Sequence, residues 1–259
     1  MIRIVAAATA VIGAVVAGLA VFAAQSTARP VAQAPIAAAP TPVPTPSASP
    51  TPTVLTTSLL SPSSATIATS NHRIAVMRAP GGPAAWHLSA RTELGAVRTF
   101  LVTAQRSDGW LQVQVPVRPN GTRGWVKATS VTTSVTPMRI VVDRHAKTLT
   151  LLRAGAPVAH YSVAVGTSST PTPAGLFFIS DRLPTLDAPG PFGPYALGLS
   201  GYSNVLTSFD GGDGVIGIHG TNADWSVGHA ASHGCVRMHN SEITALYKQV
   251  ALGTPVLVT

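Results

Sequence analysis

The stretch Gly217-Ile218-His219-Gly220-Thr221-Asn222, with Ala231-Ser232-His233-Gly234-Cys235-Val236-Arg237-Met238-His239-Asn240 after it, carries the most chemical information in this chain. Val215 to His219 reads as a short strand, and turn-forming residues separate it from Cys235, sixteen positions beyond His219. The spacing predicts a strand end that delivers an imidazole and a returning loop that delivers a thiol. A thiol with an ordinary pKa of about 8.5 is mostly protonated at neutral pH, so a nucleophilic cysteine needs a base or cation beside it. His219 is that base, and the imidazolium it becomes is expected to stabilise the thiolate. Gly234 clears a side chain from the approach to Cys235, and the Gly234 and Cys235 amides are expected to form an oxyanion hole.

Cys235 is the sole cysteine of 259 residues. Behind Arg3, residues 4–24 form an apolar run long enough, at about 1.5 Å per residue, to cross a hydrocarbon core of about 30 Å. The run predicts export, with residues 1–29 as a signal peptide or an N-terminal membrane anchor. A lone cysteine outside the cell cannot staple the fold internally, so it is either inert or kept for its reactivity. Residues 30–69, rich in Pro, Thr, Ser and Ala, read as a disordered linker in extended polyproline-type conformation. The expected location is the cell wall or periplasmic space, with possible anchoring in the cytoplasmic membrane by residues 4–24. Charged residues make up 10% of the chain and aromatics 5%, a balance more usual outside the cell than in a cytosolic enzyme.

Short β-type runs alternate with turn signals from Ile74 to Lys127, an all-β pattern over residues 70–135. Gly109-Trp110-Leu111-Gln112-Val113 and Gly121-Thr122-Arg123-Gly124-Trp125-Val126 resemble the last strands of bacterial SH3-like domains, which places Trp110 and Trp125 in a small barrel core. Residues 138–259 form a second β-rich unit. In it, Arg139 to Asp143 and Thr148 to Arg153 read as a hairpin, and Glu242 to Val250 as one helix that Ser241 can cap. Residues 184–193, rich in Pro and Gly between two strands, read as a lid or binding loop. The expected fold is mainly β, an SH3-like barrel followed by a β-sandwich or barrel with one helix.

The pairing of His219-Gly220-Thr221 with Ser232-His233-Gly234-Cys235-Val236-Arg237 resembles the signature of the YkuD-type L,D-transpeptidases. Upstream, Thr170-Pro171-Thr172-Pro173-Ala174-Gly175-Leu176-Phe177 resembles the segment before that family's lid. The resemblance implies that Cys235 attacks, His219 takes the proton and the carbonyl of Gly220 orients the imidazole in place of a carboxylate. It implies that Ser232, His233 and Arg237 line the site and hold substrate or motif geometry. No metal and no cofactor is implied. The implied reaction is acyl transfer on peptidoglycan stem peptides through a thioester, giving 3→3 cross-links, or L,D-carboxypeptidase activity when water is the acceptor. Two rival readings are a zinc site built from His219, His233, Cys235 and His239, and a wall-binding protein with a dead catalytic fold.

The formal net charge of +8 is uneven. Residues 72–135 hold eight basic residues against Glu93 and Asp108, a net of +6, whereas residues 138–259 balance to zero. The split predicts that the middle segment meets anionic wall polymers, with no role for nucleic acid, while the last segment keeps its chemistry alone.

Overall fold

The computed structural model describes residues 54–208 and 212–259. The predicted signal or anchor and most of the linker lie outside the described residues. Among the described residues no helix is long and apolar enough to cross a membrane. Thr51–Thr259 forms one compact unit, built on two large sheets with separate hydrophobic cores.

The first sheet holds β1 (Thr56–Ser58), β2 (Ala65–Ser70), β3 (Ile74–Met77), β4 (Ala84–Leu88), β5 (Arg98–Arg106), β6 (Trp110–Gln114), β7 (Arg123–Lys127) and β8 (Thr132–Thr136). Its order is β4-β3-β7-β6-β5-β2-β8, with β1 also on β5. The linker boundary expected at residue 69 is therefore corrected: β2 lies inside the sheet, antiparallel to both β5 and β8. Ala65, Ile67 and Ala68 are buried there although small residues dominate the strand. Small side chains suit a strand closed in on both faces, and they hide it in a Thr/Ser/Ala-rich composition.

The placement of two tryptophans is also corrected. Trp110 and Trp125 alternate with the buried Leu111, Val113, Gly124 and Val126, so they share the opposite, half-buried face. Lys127 Nζ lies 5.8 Å from the Trp110 ring centre and Arg106 Cζ 5.8 Å from that of Trp125. Trp86 is the tryptophan packed against the core, with Gly124 so close that a Cβ there would stand 3.2 Å from the indole.

The second sheet begins with the predicted hairpin, β9 (Met138–Asp143) and β10 (Thr148–Arg153). It continues through β11 (Ala156–Ser162), β12 (Val165–Gly166), β13 (Gly175–Pro184), β14 (Tyr195–Tyr202), β15 (Val215–His219), β16 (Ala230–Ser232), β17 (Val236–Arg237) and β18 (Pro255–Val258). Eight strands run in the order β11-β10-β9-β18-β13-β14-β15-β17, and β12 pairs separately with β16. Helix α1 (Asn240–Gln249) buries Ile243 and Leu246, three residues apart on one face, against the core of this sheet. The helix starts earlier than expected. His239 holds the N-cap position, its carbonyl accepts from the Glu242 and Ile243 amides, and no side chain caps the end, so Ser241 lies inside the first turn.

A third apolar cluster joins the two sheets: Ala65 and Leu101 of the first pack with Phe178 of the second, and Leu60 and Leu176 flank them. Gly253 presses onto Ile67, where a Cβ would fall 2.4 Å from a side-chain carbon. The mainly β architecture with a single helix agrees with the sequence reading, but the two expected units share apolar surface rather than standing apart.

Candidate active site

Strands β15 and β17 run parallel, with Ile218 opposite Val236 and His219 opposite Arg237. Extending that register by one residue sets Cys235 opposite Gly217, and the Gly217 amide donates to Cys235 Sγ at 3.4 Å. Because strand side chains alternate, Gly217 and His219 share a face, one two-residue repeat or roughly 6.6 Å apart. The imidazole and the thiol therefore emerge on the same side of the two neighbouring strands. Both line a cleft of about 290 Å³ together with Phe192, Ser203, Leu206, Val215, His233 and Arg237.

His219 is 5% exposed, and its Nδ1 lies 2.6 Å from the Gly220 carbonyl oxygen. A carbonyl only accepts, so Nδ1 carries the hydrogen and Nε2 keeps its lone pair for a substrate-side proton. Burial is the main reason the imidazole pKa falls to about 4, with the Arg237 charge acting the same way and the Gly220 bond opposing. Burial also raises the Cys235 thiol above its ordinary value, against the Gly217 amide and the Arg237 charge, which lower it. Desolvation thus favours the neutral form of both groups.

The loop before Cys235 is held from within. Ser232 Oγ donates to the Cys235 carbonyl at 2.6 Å and accepts from the Gly234 amide at 3.1 Å. This corrects two expectations. Ser232 is 1% exposed and fixes the loop instead of facing a ligand. The Gly234 amide is already engaged, which leaves the Cys235 amide as the donor beside the sulfur. Gly234 itself has φ +123°, in the region that favours glycine, and a Cβ would meet Ile216 at 3.0 Å. The upstream motif buttresses the same loop, since Thr170 Oγ1 and the Thr167 amide both donate to the Ser232 carbonyl.

The exposed His233 and the half-buried Arg237 line the cleft as expected. Arg237 Nε is buried without a hydrogen-bond partner. His239, a member of the rival zinc set, turns away, its Nδ1 3.1 Å from Asp224 Oδ1. Among the described residues no three His, Cys, Asp or Glu side chains gather as a metal site requires.

The predicted lid residues connect β13 to β14 and bring Pro191 and Phe192 into the cleft. The Phe192 ring centre is 4.9 Å from that of His219. Sequence reasoning missed Asn240, whose Oδ1 accepts from the Thr221 amide at 2.9 Å beside Gly220. It also missed Ser203, Leu206, Val215 and Ile216, which line the same cleft, because one serine and three apolar residues carry no chemical signature.

In this mainly β protein a lone cysteine and a carbonyl-oriented histidine share one cleft. The profile of the YkuD family, described as an L,D-transpeptidase catalytic domain, matches residues 137–258. The YkuD protein of Bacillus licheniformis is 41% identical over 123 residues, covering 48% of this chain and 66% of that protein. The YqjB protein of Bacillus subtilis is 32% identical over 128 residues, covering 46% of this chain and 70% of that protein. An L,D-transpeptidase structure from Mycobacterium smegmatis has 18% identity and a TM-score of 0.37, covering 58% of this chain and 90% of that one. The chain belongs to the YkuD family of L,D-transpeptidase catalytic domains. It spans just under two thirds of the B. licheniformis relative's length.

Proposed function

We propose that this chain is a peptidoglycan L,D-transpeptidase that forms 3→3 cross-links between stem peptides through a thioester on Cys235. The observation that carries this reading is the shared cleft of Cys235 Sγ and a neutral His219 whose Nε2 lone pair is free of the Gly220 bond. In the forward step Nε2 takes the thiol proton as sulfur bonds to the donor carbonyl carbon, and the Cys235 amide faces the developing oxyanion. Collapse breaks the carbon–nitrogen bond to the terminal D-residue, whose amine leaves with the proton from Nε2. An acceptor amine then loses its proton to Nε2 and attacks the thioester, and the thiol is restored. Water in place of the amine makes the same intermediate a carboxypeptidase. His233 and Arg237 contact the stem peptide, and residues 184–193 close over it. The chain acts outside the cytoplasmic membrane, exported or held there by residues 4–24.

Intact-mass spectrometry with and without a carbapenem tests this reading. One covalent adduct on the parent chain, absent in Cys235→Ala, is expected. An adduct of equal yield on Cys235→Ala overturns the nucleophile, and muropeptide products separate cross-linking from hydrolysis.

A further inference from the structure

Part of the cleft wall is built from the loop between β14 and β15 and the start of β15, and that loop is fastened from the first sheet. Ser203, Leu206, Gly214, Val215 and Ile216 of this segment line the cleft with Cys235. At its neck the Ser203 amide donates to the Gly214 carbonyl at 2.8 Å. Ser203 Oγ accepts from the Val205 and Leu206 amides at 3.2 and 2.9 Å.

The outward carbonyls of this neck converge on one side chain, Arg118, from the loop after β6. Its Nη1 donates to the Ser203 carbonyl at 2.6 Å, and its Nη2 to the carbonyls of Leu206 at 3.2 Å and Asp213 at 2.8 Å. Three carbonyl dipoles aimed at one point repel each other unless a cation sits between them, and a guanidinium offers planar, forked donors to do so. The segment that presents Arg118 is itself fixed. Asn120 donates to the Tyr202 carbonyl at 2.7 Å and accepts from the Tyr202 amide at 2.9 Å, as a neighbouring strand would. Tyr202 Oη donates to the Pro116 carbonyl at 3.0 Å, and Arg118 Cζ lies 4.8 Å from the centre of the Tyr202 ring.

We propose that Arg118 is a positioning residue for substrate binding: it sets the shape of the wall formed by Ser203, Leu206, Gly214, Val215 and Ile216, so that the first sheet controls how well the cleft holds an acyl donor without touching the reacting atoms. This rests on the transpeptidase reading for the identity of the donor. Loss of the guanidinium releases the neck and widens the wall while leaving His219, at the end of β15, and Cys235, just before β17, in place.

The test uses the full chain with Arg118→Ala and Arg118→Lys, and three measurements. With a disaccharide-tetrapeptide donor, Arg118→Ala is expected to raise KM roughly ten-fold with kcat nearly unchanged, since bonds from a charged donor are worth about that factor. Iodoacetamide, too small to feel the wall, should alkylate Cys235 in parent and variant at rates within about two-fold. Amide hydrogen exchange at Ser203 and Leu206 should quicken in Arg118→Ala, recover in part in Arg118→Lys, and recover again when millimolar methylguanidinium is added to Arg118→Ala. A folded Arg118→Ala with parental exchange at those amides overturns the proposal. So does faster exchange with an unchanged KM, or an equal loss of alkylation and turnover. If the parent itself turns over no tetrapeptide while exchange responds as stated, the transpeptidase reading fails and the fastening of the wall stands.

Discussion

Gly193 and Gly220 meet backbone to backbone at the root of the lid. A Cβ on Gly193 would lie 2.6 Å from Gly220 Cα, and one on Gly220 would lie 2.9 Å from Gly193 Cα. Each would also fall within 2.3 Å of Asn240 Oδ1, the group that accepts from the Thr221 amide. Backbone atoms cannot swing aside as a flexible side chain can. Gly193→Ala and Gly220→Ala should each cost about 1–3 kcal/mol of stability, read by urea unfolding, and Gly193→Ala adds strain because its φ is +60°. An alanine variant with parental stability at either position would contradict this packing.

His219 should make the fold acid-sensitive in a defined window. Its pKa falls from 6.5 to about 4 on burial, so between those values the unfolded chain binds a proton that the folded chain does not. Stability from this source is complete above pH 6.5 and is lost as pH falls toward 4, up to about 3 kcal/mol. Urea unfolding at pH 7 and pH 4.5 should show this loss in the parent chain and a smaller one in His219→Gln. Equal pH dependence in the two would contradict the buried neutral imidazole.

Cys235 should react slowly at neutral pH when no substrate is bound. Burial lifts its pKa above that of an ordinary thiol, so iodoacetamide alkylation should keep rising through pH 9 with no plateau near pH 6–7. Arg237→Gln removes a charge that favours the thiolate and should slow alkylation at pH 8 roughly two- to five-fold. A fast, pH-independent rate from pH 6 upward would instead indicate a preformed ion pair.

Residues 138–259 alone should fold poorly, contrary to what the division of charge suggests. Phe178 is fully buried, and its cluster partners Ala65 and Leu101 belong to the first sheet. Exposing one such side chain costs about 1.5–3 kcal/mol, and the polar bonds across the junction go with it. The fragment should show a thermal transition well below that of the longer chain, or none. A cooperative transition within a few degrees of the parent would restore the idea of an autonomous catalytic unit.

The meeting of His219 and Cys235 in one cleft was legible because the two lie close in sequence, and parallel pairing of two short strands accounts for the geometry. The Gly220 carbonyl was legible only through resemblance. Strand β2 was not, since Ala65-Thr66-Ile67-Ala68-Thr69-Ser70 carries the composition of a linker and shows its role only when β5 and β8 enclose it. Ser232 was placed at the site by the resemblance, to hold substrate or motif geometry, and its two bonds close a local turn. Arg118 lies 85 residues from Ser203 and 95 from Asp213, and no local pattern announces such a meeting.

The bonds that fasten the cleft wall are made almost wholly to main chain. Arg118 takes three carbonyls, Asn120 takes both polar groups of one peptide residue, and Gln114 donates to the Leu176 carbonyl. Every amino acid offers that same carbonyl, so the grip is blind to side-chain identity. Leu206 and Val215 can therefore change identity while the clasp that shapes the loop before β15 stays intact. The side chains that face the cleft are thereby separable from the anchorage of the backbone that carries them.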